Sequence, residues 1–319
     1  MGGIVGKVLF MKKKVMSVVL AASFLFGMAA CSKDDKTSES SEAAETTVAE
    51  ETKAEETEAP AETAVTDAAS DLRVVSLSPE VTEIIFALGA EDVLVGRSTY
   101  CDYPAEASSI PAVGDLYAMD VEAIVAVEPT VVLASGFVDD DTVAALAEYG
   151  IEVAVVTEGT DIEGLYALIN EVATYVDAED EAAALNDEIS AELAAIETIE
   201  TDSTVYYVVG YGEYGDFTAG DGSFIASIIE TAGAKNAGEG MDQWAMLDAE
   251  TLIALDPDYI VIADYLVDDF TNMEPYSALT AVSEGRVIAV DENIFVRQTP
   301  RNVEAVKALV AAIAEYEAA

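Results

Sequence analysis

The chain has no histidine, and only 14 Lys plus Arg stand against 62 Asp plus Glu in its 319 residues, a formal net charge of −48. Each shortage excludes a chemistry. Without histidine there is no Ser-His-Asp triad, no Cys-His pair, no HExxH zinc site and no three-histidine metal centre. Two cysteines build neither a multi-disulfide scaffold nor a four-cysteine site. The scarcity of cations repels phosphate backbones, so nucleic acid is excluded as a partner. From residue 72 onward no apolar run approaches the roughly 20 residues that a membrane-spanning helix needs.

What is present is unevenly distributed. Residues 1–31 hold four lysines and no acid, residues 32–71 hold 13 acids and three lysines, and residues 72–319 hold the remaining 49 acids and seven cations. The first block reads as an export signal over residues 1–30. Lys12, Lys13 and Lys14 precede an apolar stretch from Val15 to Ala30, which is short for a spanning helix. Met28-Ala-Ala-Cys31 resembles a bacterial lipobox, which implies lipid attachment at Cys31 and cleavage just before it. Met11 opens a more typical signal than Met1. Residues 31–71, rich in Glu, Thr, Ala and Ser and free of aromatics, read as a disordered acidic tether with a reach of roughly 35 Å. The expectation is a folded domain held outside the cell by a lipid anchor.

In the folded part, short β runs alternate with amphipathic helices, which argues for an α/β fold with parallel sheets. "MDVEAIVAVEPTVVLAS" from Met119 aligns with "LDAETLIALDPDYIVIA" from Leu247, so that Asp120, Glu122 and Pro129 map onto Asp248, Glu250 and Pro257 at a single offset of 128. In each copy Asp is placed to cap a helix, and proline stops that helix before a buried strand. Two similar lobes follow, over residues 72–160 and 200–319. Between them, residues 161–199 have helical periodicity at Leu165, Leu168, Ile169, Val172, Val176, Leu185, Ile189, Leu193 and Ile196, with no Gly or Pro after Gly164. One helix of about 30 residues would bridge about 45 Å; Asp177 to Asp180 is the place for a kink.

"RVVSLSPEVTEIIFALGAEDVLVG" from Arg73, "STYCDYP" from Ser98, the paired D-x-E elements and "FVRQTPRN" from Phe295 together resemble the helical-backbone class of ABC-transporter substrate-binding proteins. That class serves cobalamin, ferric siderophores and haem, and the resemblance spans residues 72–319. It implies two α/β lobes joined by a long helix, a ligand cleft between them, a partner permease and ATPase, a monomer with no intrinsic cofactor, and no enzymatic activity. Glu122 and Glu250 match the family's paired permease-docking glutamates; a first-turn helix acid is the plainer role for each. Among members, the vitamin B12-binding proteins are most similar, and Tyr100, Phe217, Trp244 and Arg297 fall where those proteins contact corrinoid. Leu116 and Ser135 stand where further tryptophans are expected and Asn293 where an acid is; Tyr117 is the neighbour that compensates. Haem, ligated through Tyr100, Tyr211, Tyr214 or Tyr265, or a ferric siderophore, is the alternative ligand, with Arg301 either a second polar contact or a surface residue.

Other features have bland readings. Gly210-Tyr-Gly212-Glu-Tyr-Gly215 has dinucleotide-binding spacing but does not open a helix directly, as phosphate binding requires; the next helix is expected near Ser223. Cys101 reads as a partly buried turn residue, with a soft metal ligand as the sharper alternative. Asp139, Asp140 and Asp141 read as a solvated loop rather than a cation site. A surface hydrolase using paired carboxylates and an adhesive lipoprotein are the rival classes, and the duplicated D-x-E elements favour transporter docking over both.

Overall fold

The computed structural model describes residues 72–318 except 116, 117, 137, 200 and 214. The export signal, Cys31, the tether and Tyr117 lie outside the described residues.

The N-terminal lobe is a parallel sheet of β1 (Val74–Ser76), β2 (Leu94–Arg97), β3 (Val131–Ala134) and β4 (Glu152–Val155) in the order β2-β1-β3-β4, with helices α1 (Pro79–Ala87), α2 (Val121–Ala126) and α3 (Asp140–Glu148) between strands. Helix α4 (Ile162–Thr174) and helix α5 (Glu179–Ala194) follow. The C-terminal lobe contains β5 (Thr204–Tyr207), β6 (Asp216–Ala219), α6 (Phe224–Thr231), β7 (Lys235–Asn236), β8 (Trp244–Leu247), α7 (Ala249–Leu255), β9 (Tyr259–Ala263), α8 (Val267–Asn272), α9 (Thr280–Ser283), β10 (Val287–Val290), α10 (Asn293–Val296) and α11 (Asn302–Glu317). Its main sheet, β7-β5-β9-β10, repeats the order of the first element for element. The internal repeat is its cause: α2 and β3 correspond to α7 and β9 at the same offset, and both caps form, with Asp120 Oδ1 accepting from Ala123 N (3.0 Å) and Asp248 Oδ1 from Thr251 N (2.7 Å).

Strand residues alternate between two environments, as period-two side chains must. Val74, Val131, Leu133, Val205, Tyr207, Tyr259 and Val261 face one core, which also takes in α1, α4, α5, α6 and α11. The intervening Val75, Val132 and Ala134 form a separate outer core in the first lobe. Tyr206, Ile260 and Ile262 do so in the second. The inner faces of both sheets thus share a single apolar centre.

The single bridging helix of about 30 residues is corrected to two helices. Ala178 N–H reaches back to Ala173 O around Asp177, which adopts φ 54°. The break falls where the kink was expected, at Asp177 to Asp180, but the left-handed closure, which glycine or asparagine ordinarily supplies, makes it a full stop rather than a bend. The second helix folds back on the first, where Asn186 Nδ2 donates to Asn170 Oδ1 (3.0 Å). The periodic residues Leu165, Leu168, Ile169 and Val172 are buried as expected. The bridge to the second lobe is therefore α5 alone, 16 residues or about 24 Å.

Candidate functional site

In parallel sheets, side chains that meet a ligand gather outside the carboxyl ends of the strands. Several of the exposed large apolar residues lie there: Tyr100 beyond β2, Val155 on β4, Val209 beyond β5, Tyr265 beyond β9 and Val296 before Arg297. The chain leaving β5 pairs with β6, through Val209 N to Phe217 O (2.9 Å) and Phe217 N to Gly210 O (2.8 Å). Strands β6 and β8 form an antiparallel ribbon with Phe217 opposite Met246 and Ala219 opposite Trp244. Opposed residues share a face, so Phe217, Trp244 and Met246 stand together, with Trp244 54% and Met246 65% exposed. The ribbon strand β6 directly follows the Gly210–Gly215 stretch, so a strand and not a helix comes after Gly215; α6 begins only at Phe224, capped by Ser223. Met246 was missed, although its spacing two residues after Trp244 is the strand signal that places it.

Arg297 and Tyr100 also come together, through Arg297 Nη2 and Tyr100 O (3.5 Å). Arg297 is not a free ligand handle, however. Its Nη1 donates to Glu83 Oε1 (3.0 Å) on α1 and to Asp102 Oδ1 (2.7 Å). Arg301 binds the same glutamate in bidentate fashion, Nε to Oε2 and Nη2 to Oε1, each 2.7 Å. It also lies 3.9 Å over the Tyr103 ring. The surface reading of Arg301 is thereby corrected: its side chain is only 12% exposed, and the glutamate it clamps 2%. Burial works against both guanidinium charges, but hydrogen bonds to the carboxylates (Asp102 and Glu83 for Arg297, Glu83 for Arg301) more than offset it and raise both pKa values. This network and the reciprocal pair between the Gln298 carboxamide and the Gly159 backbone (2.8 and 2.6 Å) join the lobes.

Three residues before Arg297's partner Glu83, about one turn, α1 carries a second buried acid on the same side of the helix. Glu80 Oε1 is buried and faces no donor, and its neighbour is the Glu158 carboxylate. Burial, followed by the Glu158 charge, pushes Glu80 up to about 7.

The remaining candidates resolve simply. Cys101 is fully buried, its Sγ against Ser76 O and Ser98 Oγ, and burial raises its thiol pKa. Ser135 is buried and bonded to Ser78, so it forms no wall where tryptophan was expected. Asp139 caps α3 through Thr142, and among the described residues no group of three or more His, Cys, Asp or Glu is placed to hold a metal ion. No helix among them is long and apolar enough to cross a membrane. Glu122 and Glu250 are both exposed in the first turns of α2 and α7, one per lobe.

This arrangement has known counterparts. The Bacillus subtilis (strain 168) protein named uncharacterized ABC transporter substrate-binding lipoprotein YvrC is 28% identical over 317 residues, covering 95% of this chain and 98% of that protein. A cobalamin-binding protein of Halobacterium salinarum is 32% identical over 259 residues, covering 76% of this chain and 69% of that one. Among solved structures, the periplasmic haem-binding protein BhuT, in complex with two haems, superposes with a TM-score of 0.68 at 27% identity, covering 76% of this chain and 98% of that chain. The match to the family pattern runs from residue 74 to 294, and the chain belongs to the periplasmic binding protein family.

Proposed function

We propose that this protein is the lipid-anchored, extracytoplasmic substrate-binding component of an ABC importer, and that it captures a corrinoid and delivers it to the permease. The observation that carries the ligand assignment is the ribbon face of half-buried Phe217 and exposed Trp244 and Met246, with Tyr100 beyond β2 in the first lobe and Arg297 beyond β10 in the second. A broad, flat ring system needs an apolar wall of this kind with few polar handles. The cobalamin-binding relative supports the same ligand class. The lone Arg297–Arg301 pair in a folded part with seven cations suits an uncharged ligand better than an anionic catecholate. Glu122 and Glu250, one exposed on each lobe, are the permease contacts, giving register and steering more than raw affinity. Cys31 is the lipid attachment site, and Tyr117 an added contact beside the cleft.

Haem is the second reading, supported by the likeness to BhuT. It needs an axial donor, and Tyr265 is the most exposed tyrosine at the strand ends. Its hydroxyl donates to Glu292 Oε1 (2.9 Å), and burial together with that carboxylate raises its pKa, which opposes the phenolate that iron prefers.

The test uses Trp244, the only tryptophan. Titration with cobalamin and cobinamide quenches its fluorescence saturably, and Phe217→Ala weakens binding by roughly tenfold or more. Binding of haemin with no response to either corrinoid overturns the assignment.

A further inference from the structure

The two cleft arginines are over-neutralised. Arg297 and Arg301 meet Glu83, Asp102 and Asp291, the last 3.7 Å from Arg301 Nη1. Three carboxylates on two guanidinium groups leave the cluster one charge negative. Glu83 has an evident structural task, since it is buried and both arginines converge on it. Asp102 also ties the lobes through Arg297, but from the surface. Its side chain is 64% exposed, it extends from the first lobe in the Cys101–Tyr103 loop, and it shares Arg297 Nη1 with Glu83, whose single charge is divided between the two arginines.

An arginine with an open flank attracts carboxylates, usually in bidentate fashion. With Asp102 Oδ1 2.7 Å from Nη1, a second carboxylate arriving there meets a like charge at close range. The donors left over suit a neutral oxygen. Nη2 reaches only Tyr100 O, at 3.5 Å, and Nε donates to no protein atom among the described residues. A carbonyl can accept from these hydrogens without bringing charge.

We propose that Asp102 is the specificity-determining residue of the cleft, selecting a chelate with amide arms over one with free carboxylates by occupying the exposed flank of Arg297. This rests on the reading of Arg297 as a ligand handle. It extends that reading by stating which property of the ligand is sensed: the charge of its arms rather than the shape of its ring.

The test compares two ligands with the same ring. Dicyanocobinamide carries amide arms and cobyrinic acid free carboxylates; haemin, with its propionates, is the third probe. Each is titrated into the full chain and into Asp102→Asn and Asp102→Ala. The wild type prefers the amide form by about tenfold, and both variants bring the ratio towards one, chiefly through a gain of about five- to tenfold for cobyrinic acid. A structural defect would weaken both ligands alike and leave the ratio in place. An unchanged ratio in both variants overturns the proposal. If the wild type binds neither corrinoid, the corrinoid assignment fails separately, and haemin then decides: a comparable gain in the variants upholds the role of Asp102, and an unchanged haemin affinity refutes it.

Discussion

Replacing Glu80 by glutamine tests the buried carboxyl pair directly. Glu80 titrates at about 7 in the folded chain against 4.5 for an ordinary glutamate. Between those values the folded protein holds a proton that the unfolded chain has released. Stability therefore falls as pH rises through this window, and the loss is complete once the folded carboxyl has ionised. At about 1.4 kcal/mol per tenfold difference in proton affinity, the full penalty is about 3 kcal/mol, or about 6–12 °C in Tm for a domain of this size. Glutamine is isosteric, permanently uncharged and able to donate to Glu158, so Glu80→Gln escapes the penalty. The assay is urea unfolding of both proteins at pH 5, 6, 7 and 8. Forty-eight other acids of the folded part titrate in both proteins and cancel in the difference. That difference grows in favour of the variant from near pH 5 and levels off above pH 8. Glu158→Gln shifts the wild-type transition to lower pH without abolishing it, because burial, the larger cause, remains. A difference that stays constant within about 0.5 kcal/mol across the range refutes the raised pKa of Glu80.

Two further outcomes follow. Arg301→Ala leaves Glu83, 2% exposed, with Arg297 as its only cation, and the folded state loses about 2–4 kcal/mol, measured by urea unfolding at pH 7; Arg301→Lys recovers only part, since a point charge cannot reproduce the bidentate contact. Glu122→Ala combined with Glu250→Ala leaves ligand affinity within about twofold but abolishes uptake in a transport assay, and wild-type uptake by the double variant excludes these residues as the docking pair.

The elements legible in sequence were those whose signal is local. Val131–Ala134 and Tyr259–Ala263 are strands at their expected positions, because an uninterrupted apolar run after proline has few other uses. Asp120, Asp248 and Ser223 act as caps, because a capping side chain bonds within three residues. What stayed hidden depends on distant partners. At Asp177 the place of a kink was legible but not its severity, because no glycine marks the left-handed residue that turns the chain back. Ribbon β6–β8 pairs segments 25 or more residues apart across glycine-rich chain. Glu80 and Glu83 look like ordinary acids of a surface helix; only the arrival of Glu158 beside the first and of two arginines more than 200 residues away at the second makes them interior groups. Of the residues assigned to the ligand, Phe217 and Trp244 share a face and Tyr100 joins Arg297, but the acids that hold Arg297 carry no motif.

The inner core that runs unbroken through both sheets has a mechanical meaning. Two lobes with separate interiors can swing about a hinge at little cost; here, parting them would tear apolar packing along α4, α5, α6 and α11. Loaded and empty receptors should therefore present α2 and α7 at almost the same spacing, like a fixed-gauge plug. A membrane partner gripping both ends would feel the same separation in either case. Whether cargo is aboard must then be read from what fills the mouth between the grips, through the loops and side chains around Tyr100, Asp102 and Trp244, rather than from any change in span.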